Sequence, residues 1–332
     1  MDPILDIQGL EIVYKTQDGT AHALNKVDLS LVKGMALGLV GETGAGKTTL
    51  AKGIMRLIPS PPGVIENGTV FYRGKDLYKM DNEEMRQIHG KEISMVFQDP
   101  MTSLNPVMTV GEQIAEAVCA HQKVSQSDAL KRAEEMLELV GIPGERINDY
   151  PHQFSGGMKQ RVVIAIALTC DPAVLIADEP TTALDVTIQA QVLNLMKSLR
   201  RRFNTAMLLI THDLGVVAQT CDHVAVIYAG EIMEYGTVCE IFEEMAHPYT
   251  IGLFKSIPNL KVDVKRLTPI KGMMPDPYAL PKGCKFSTRC PYAADECFNE
   301  HPSMTRVSGE HTVRCFRYKE AMSMKGNADG QR

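Results

Sequence analysis

The sequence predicts an α/β fold built on a mainly parallel sheet, and three observations carry that prediction. The apolar run MALGLV leads into Gly41-Glu42-Thr43-Gly44-Ala45-Gly46-Lys47-Thr48-Thr49, and TLAKGIMRLI after it has helical spacing. Further on, the apolar runs AVLIAD, AMLLITHD and HVAVIYAG are separated by helical stretches such as IQAQVLNLMKSLRRRF, the rhythm of βαβ units. With 332 residues, 44% hydrophobic and 23% charged, the chain is long enough for a large core and more than one domain.

The elements follow in order. ILDIQGLEIVY and HALNKVDLSL alternate imperfectly around the turn QDGT, which reads as antiparallel N-terminal strands. PSPPGVIENG reads as a loop, TVFYRGKDL as a strand, ISMVFQ as a short strand ending at Gln98, and DPMTSLNP as a loop. Two amphipathic helices follow, VGEQIAEAVCAH and SDALKRAEEMLELV, the second with Ser127 as its N-cap and Gly141 past its end. A third helix starts near Ser155 and runs through QRVVIAIALTC. These helices form an insert at about 100–165 in an α/β domain spanning 1–245. Residues 246–332 are rich in proline, glycine and cysteine and lack long periodic segments. That tail is expected to be loosely ordered or held by something other than an apolar core.

Net charge is −5, which argues against nucleic acid as a partner. Residues 261–332 nevertheless hold 13 Lys/Arg and 8 Asp/Glu, a local +5, leaving −10 on the remainder. No apolar run approaches the roughly 20 residues that span a bilayer, and MDPILDIQGLEIVY lacks the pattern of a signal peptide. The expectation is a cytoplasmic chain, unless a partner holds it at a membrane.

Strand, glycine loop and helix in that order suit phosphate binding. Backbone amides of Gly41, Thr43, Gly44, Ala45, Gly46, Lys47, Thr48 and Thr49 can turn inward around phosphate oxygens at the positive end of the helix. Lys47 is placed to reach the β- and γ-phosphates, and Thr48 to offer a hydroxyl to Mg²⁺. AVLIADE ends in Asp178 and Glu179, acids placed to bind Mg²⁺ through water and to polarise an attacking water. Phe154-Ser155-Gly156-Gly157-Met158 is a second glycine turn opening a helix, with Ser155 as its cap.

Residues 4–245 resemble the nucleotide-binding subunit of an ABC transporter, a P-loop NTPase. The resemblance rests on the phosphate loop, Gln98 as the Q-loop, FSGGM as the signature, LIADE as the acidic strand, Ala183-Leu184-Asp185 as the D-loop and His212 as the switch histidine. The signature departs in its fifth residue, Met158 where the family has Gln. The resemblance implies ATP and Mg²⁺ as ligands, Tyr14 stacked on adenine, Gln98 at Mg²⁺ or water, and His212 on the γ-phosphate. It also implies a dimer in which Ser155, Gly156 and Gly157 of one subunit meet the γ-phosphate held by the other. HPYT, SIPNL, GCKFSTRCPYAADEC, DVTIQAQVLNLM and FQDPMTSLNP resemble the D-type ATPase of dipeptide and oligopeptide importers. That implies a second, F-type ATPase or a second copy as partner, two membrane permeases, an extracytoplasmic substrate-binding protein, and a peripheral place on the cytoplasmic face of the inner membrane. Nickel and oligosaccharide importers share these features, and a soluble ABC protein outside transport is a further alternative.

Of eight cysteines, Cys119, Cys170, Cys221 and Cys239 are scattered, and Cys284, Cys290, Cys297 and Cys315 are bunched in the last fifth of the chain. A cluster of four in a reducing compartment favours metal over disulfides. The spacings of 5, 6 and 17 intervening residues and the proline after Cys290 lack the C-x2-C pairs of zinc ribbons and fit a [4Fe–4S] cluster better. Homologous tails imply the same, and zinc or free thiols stay open as readings. Because every hydrolytic group lies before residue 213, the tail is expected to stand apart from the nucleotide site.

Overall fold

The computed structural model describes residues 2–98, 103–182, 184–256 and 269–329. Strands β1 (Leu5–Thr16), β2 (Gly19–Leu31) and β3 (Ala36–Val40) open the chain, and α1 (Lys47–Ile54) follows the glycine loop. Next come β4 (Gly63–Tyr72), β5 (Lys75–Asp76), α2 (Asn82–Ile88) and β6 (Ile93–Val96). Helices α3 (Val110–His121), α4 (Gln126–Leu139) and α5 (Gly156–Leu168) lead to β7 (Val174–Asp178), α6 (Val186–Phe203), β8 (Ala206–Thr211), α7 (Leu214–Thr220), β9 (His223–Tyr228) and β10 (Glu231–Thr237). The C-terminal stretch holds α8 (Val238–Glu243), α9 (Pro248–Lys255), α10 (Asp295–Asn299), β11 (Thr305–Ser308), β12 (His311–Val313) and α11 (Tyr318–Asp329). The chain divides into two compact units, one of Met1–Asp6, Ser30–Ala36 and Phe71–Thr211, the other of Ile7–Leu29, Leu37–Val70 and His212–Arg332.

In the first unit β6, β7 and β8 are parallel, with Ile93 opposite Val174 and Val174 opposite Ala206. Every residue of these three strands is buried, as expected for parallel strands covered on both faces. Helix α3 starts in a capping box, Thr109 with Glu112. The cap of α4 is Ser125, not Ser127, and its hydroxyl accepts from the Asp128 amide. Ser127 lies inside the first turn, so the serine pair of SQSD misled by two residues. PSPPGVIENG also differs from expectation, because β4 already begins at Gly63 within it.

In the second unit β1 and β2 are joined by only two residues, a connection open to antiparallel neighbours alone. β3 runs parallel to β9, with Leu37 opposite His223. β9 pairs antiparallel with β10, β10 with β12, and β12 with β11. The C-terminal tail therefore extends this sheet by two strands. Of the two expectations for the tail, loose order or support other than an apolar core, the described residues show the second: strands of three and four residues are too short to leave a periodic signal, yet main-chain pairing holds them. Small apolar clusters add to this, Met245, Ile251 and Ala321 in one, Ala246, Val313 and Cys315 in another.

Polar chemistry anchors the same stretch. Glu234 on β10 and His311 on β12 are wholly buried and 2.7 Å apart. The Glu234 carboxylate also accepts the amides of Ala246 and His247, at 2.6 and 2.9 Å. Burial pushes the His247 imidazole down to about 4, so it is neutral and accepts the Tyr249 amide at 3.0 Å. Removing the carboxylate strands three buried donors, which costs about 3–5 kcal/mol in comparable pairs. Glu234→Ala is therefore expected to lower the unfolding midpoint and expose residues 269–329 to protease; an unchanged midpoint and digestion pattern is the contrary result.

Candidate functional site

The glycine loop turns out of β3 and closes on its own lysine. Gly46 caps α1 in a left-handed conformation, φ 104°, with no side-chain cap. A Cβ there would meet the Ala23 carbonyl oxygen at 2.7 Å and Leu24 Cδ2 at 2.9 Å, so both backbone shape and space demand glycine. The first amides of α1 accordingly lack any side-chain acceptor of their own, the condition for binding an anion. Lys47 is buried, and its Nζ donates to the Gly41 and Glu42 carbonyls at 2.8 and 3.0 Å. Thr43 and Gly44 are exposed at the loop tip, Ala45 is buried, and Thr48 and Thr49 are half-buried in the first helical turn. Tyr14 is half-buried near the end of β1. His212, the first residue after β8, is exposed, and its neighbour Asp213 caps α7 through the Gly215 and Val216 amides.

In the other unit Asp178 is the buried last residue of β7. Glu179 then takes a left-handed backbone, φ 46°, a conformation costing a non-glycine residue about 1–2 kcal/mol. Its amide donates to the Ile210 carbonyl at 2.9 Å. Its carboxylate accepts from Gln98 Nε2 and Thr182 Oγ1, each at 3.0 Å. Gln98 and Glu179, 81 residues apart, are thus brought together.

The signature turn is also placed. Ser155 caps α5, accepting the Met158 amide at 3.4 Å, and Ser155 and Gly156 are exposed. A Cβ at Gly157 would lie 2.4 Å from Ile188 Cγ2, so glycine lets α5 approach α6. Met158 has its own support: Arg146 donates to its sulfur at 3.6 Å, pairs with Asp149 at 2.7 Å, and lies over the Phe154 ring. Asp185 caps α6 through the Ile188 amide; its D-loop neighbour Ala183 lies outside the described residues.

Cys284, Cys290, Cys297 and Cys315 line one pocket with His247, Phe286 and Arg317. None forms a disulfide. Burial, helped by the neighbouring sulfurs, pushes three of these thiols up, Cys290 among them, Cys284 to about 11 and Cys315 to about 12. Among the described residues no group of three or more His, Cys, Asp or Glu is placed to hold a metal ion.

The expectation of a tail apart from the nucleotide loop does not hold. Arg289, one residue before Cys290, grips Glu42 of the glycine loop through two bonds of 2.6 and 3.0 Å. Tyr249 Oη accepts the Glu42 amide at 2.8 Å. Sequence reasoning missed Glu42, Tyr249 and Arg289, whose partners lie more than 200 residues away; HPYT drew attention to Tyr249 only as a family mark.

The ABC transporter family profile matches residues 24–182, and the profile of the oligopeptide/dipeptide transporter C-terminal region matches residues 233–297. The chain is 49% identical over 318 residues to the dipeptide transport ATP-binding protein DppD of Bacillus subtilis (strain 168), covering 95% of each chain. It is 52% identical over 316 residues to the oligopeptide transport ATP-binding protein OppD of the same organism, covering 94% of this chain and 88% of that one. Among solved structures it resembles the ATP-binding cassette MJ0796, a dimer in a post-hydrolysis state bound to ADP and Pi. The TM-score is 0.64 at 27% identity, over 70% of this chain and 98% of that one. The chain therefore belongs to the ABC transporter ATP-binding family, in the branch that carries the oligopeptide/dipeptide transporter C-terminal region.

Proposed function

We propose that this chain is the ATP-hydrolysing subunit that powers import of di- and oligopeptides through a membrane ABC transporter. The observation that carries the reading is likeness along the whole chain, ATP-binding region and C-terminal extension together, to two peptide-transport ATP-binding proteins. Residues 1–245 serve as the ATP-binding domain with its helical insert, and residues 246–332 as the extension. No helix among the described residues is long and apolar enough to cross a membrane. In this reading the chain sits peripherally on the cytoplasmic face, joined to two permeases, a related F-type ATPase or a second copy and, across the membrane, a substrate-binding protein.

Each residue then has a task. The loop amides of 41–49 and the Lys47 ammonium bind the β- and γ-phosphates, and Tyr14 stacks on the adenine. Thr48, Asp178 and Gln98 are the residues that would hold Mg²⁺, which when bound would supply charge neutralisation at the phosphates. Glu179 takes the proton of the attacking water; Gln98 and Thr182 keep its carboxylate oriented. His212 donates to the γ-phosphate. Ser155, Gly156 and Gly157 offer the start of α5 to the γ-phosphate of a partner ATPase, and Asp185 lines the same dimer face.

In this reading Cys284, Cys290, Cys297 and Cys315, free thiols that line one pocket, would hold a [4Fe–4S] cluster. Held there, it would serve as a staple for a module with a small core. Phosphoryl transfer needs no redox step.

Three outcomes follow. Glu179→Gln is expected to keep ATP binding and slow turnover by about 10²–10⁴-fold, measured on the complex assembled with its partner ATPase and permeases; turnover near the wild-type rate refutes Glu179 as base. Lys47→Ala is expected to weaken nucleotide binding itself, because the phosphates lose a charged partner; titration with unchanged affinity refutes the loop as phosphate site. Anaerobically purified protein is expected to be brown, with about four iron and four sulfide per chain, and Cys290→Ser to bleach it. Stoichiometric zinc without iron refutes the cluster.

A further inference from the structure

We propose that Arg289 is a positioning residue for ATP binding: through it the C-terminal extension holds the phosphate loop in its binding shape. The proposal rests on the reading of residues 41–49 as the nucleotide loop and adds a residue to it from 247 positions away.

One guanidinium makes five bonds. Nη1 donates to Glu42 Oε2 at 2.6 Å and to Tyr228 Oη at 3.2 Å. Nη2 donates to Glu42 Oε1 at 3.0 Å and to the Ile270 carbonyl at 3.4 Å. Nε donates to the Lys271 carbonyl at 3.0 Å. The Arg289 side chain is only 4% exposed. A fork this fully used has one geometry, and an ammonium cannot reproduce it.

The bonds join two backbone segments. On one side is Glu42, held at both ends: its carboxylate by Arg289, its amide by the Tyr249 hydroxyl. The Glu42 carbonyl is also an acceptor for Lys47 Nζ. Restraint of Glu42 therefore reaches the lysine assigned to the phosphates. On the other side are Ile270 and Lys271, which begin a stretch that runs beside the nucleotide loop. The Met274 methyl sits 3.4 Å from where a Cβ on Gly44 would lie. The Pro277 carbonyl accepts the His22 amide at 2.9 Å, and Tyr278 Oη lies 3.1 Å from Thr16 Oγ1, two residues past Tyr14. Residues 270–278 thus lie against the loop tip and the end of β1, and Arg289 fastens that strap and the loop with one side chain.

Arg289 is itself held by rigid neighbours. It ends a short 3-10 turn, Ser287–Arg289, between Cys284 and Cys290. Phe286 beside that turn is wholly buried, edge-on to Tyr228 at 5.2 Å and tilted against Tyr249 at 5.4 Å. The same two tyrosines touch the Arg289–Glu42 pair. If loop shape and extension order depend on one contact, ATP binding and extension order must favour each other reciprocally.

The test uses the full-length chain: wild type, Arg289→Ala, Arg289→Lys, Glu42→Gln and the variant carrying Arg289→Ala with Glu42→Gln. ATP affinity is measured by titration, and KM and kcat by steady-state turnover. Arg289→Ala and Glu42→Gln are each expected to weaken ATP binding by about five- to hundredfold, seen in KM more than in kcat. The double variant should be no weaker than the singles, because both remove the same contact. Arg289→Lys should fall between alanine and wild type. ATP should slow proteolysis within residues 269–329 in the wild type and not in Arg289→Ala. Wild-type affinity in both single variants, or losses that add in the double variant, overturn the proposal. If Arg289→Ala fails to fold, the near-isosteric Glu42→Gln carries the same test. Lys47→Ala separates this from the underlying reading. Lost binding there with wild-type affinity in Arg289→Ala refutes the positioning role alone, and unchanged binding in both refutes the nucleotide loop.

Discussion

A loop that surrounds an anion with its own amides cannot pack its own interior, so it must be held from outside. That constraint organises the unit around Gly41–Thr49. The Gly230 amide donates to the Ala45 carbonyl at 2.9 Å, and the Asn25 amide to the Gly230 carbonyl at 2.8 Å. Asn25 Nδ2 adds a bond to the Ala229 carbonyl. Lys47 fastens the loop from within, and Tyr249 and Arg289 hold Glu42 from the far side. Bonds made before the ligand arrives reduce what binding must spend on ordering.

The groups written close together in the chain were legible in the sequence. A glycine loop between strand and helix, two acids ending an apolar strand, and a serine-capped glycine turn each carry their physical reason within ten residues. Gln98 required the family resemblance, because its meeting with Glu179 spans 81 residues. Glu42 with Arg289 had no local signal: Glu42 reads as a polar loop residue and Arg289 as surplus basic charge. Within the +5 of residues 261–332, at least this one cation is spent on a buried ion pair. The error at Ser127 is of another kind. Two serines bracket a glutamine, each a fair cap by type, and only the backbone shape at Ser125 decides between them.

The extension illustrates how a small module is held when its apolar core is modest. Its strands β11 and β12 borrow the edge of β10. Its buried carboxylate, Glu234, is fully used by His311 and two amides, and a buried polar group so satisfied specifies one packing where apolar contacts alone tolerate several. The cysteine pocket is different. Burial pushes the Cys284 and Cys315 thiols up, and the Cys315 sulfur accepts the Arg317 amide at 3.3 Å.

The solved cassette MJ0796 is matched over 98% of its length by 70% of this chain. This chain therefore holds nearly the whole length of that cassette and has further residues besides. An addition of that kind need not create chemistry, and it does not supply a group for water activation: Glu179, with Gln98 and Thr182 around it, lies outside residues 246–332. What the extension does supply is a fixed cation at a loop carboxylate and a strap beside the loop tip. If Arg289 positions the loop as proposed, a change in the extension alters ATP affinity while leaving Glu179, Gln98 and Thr182 as they are.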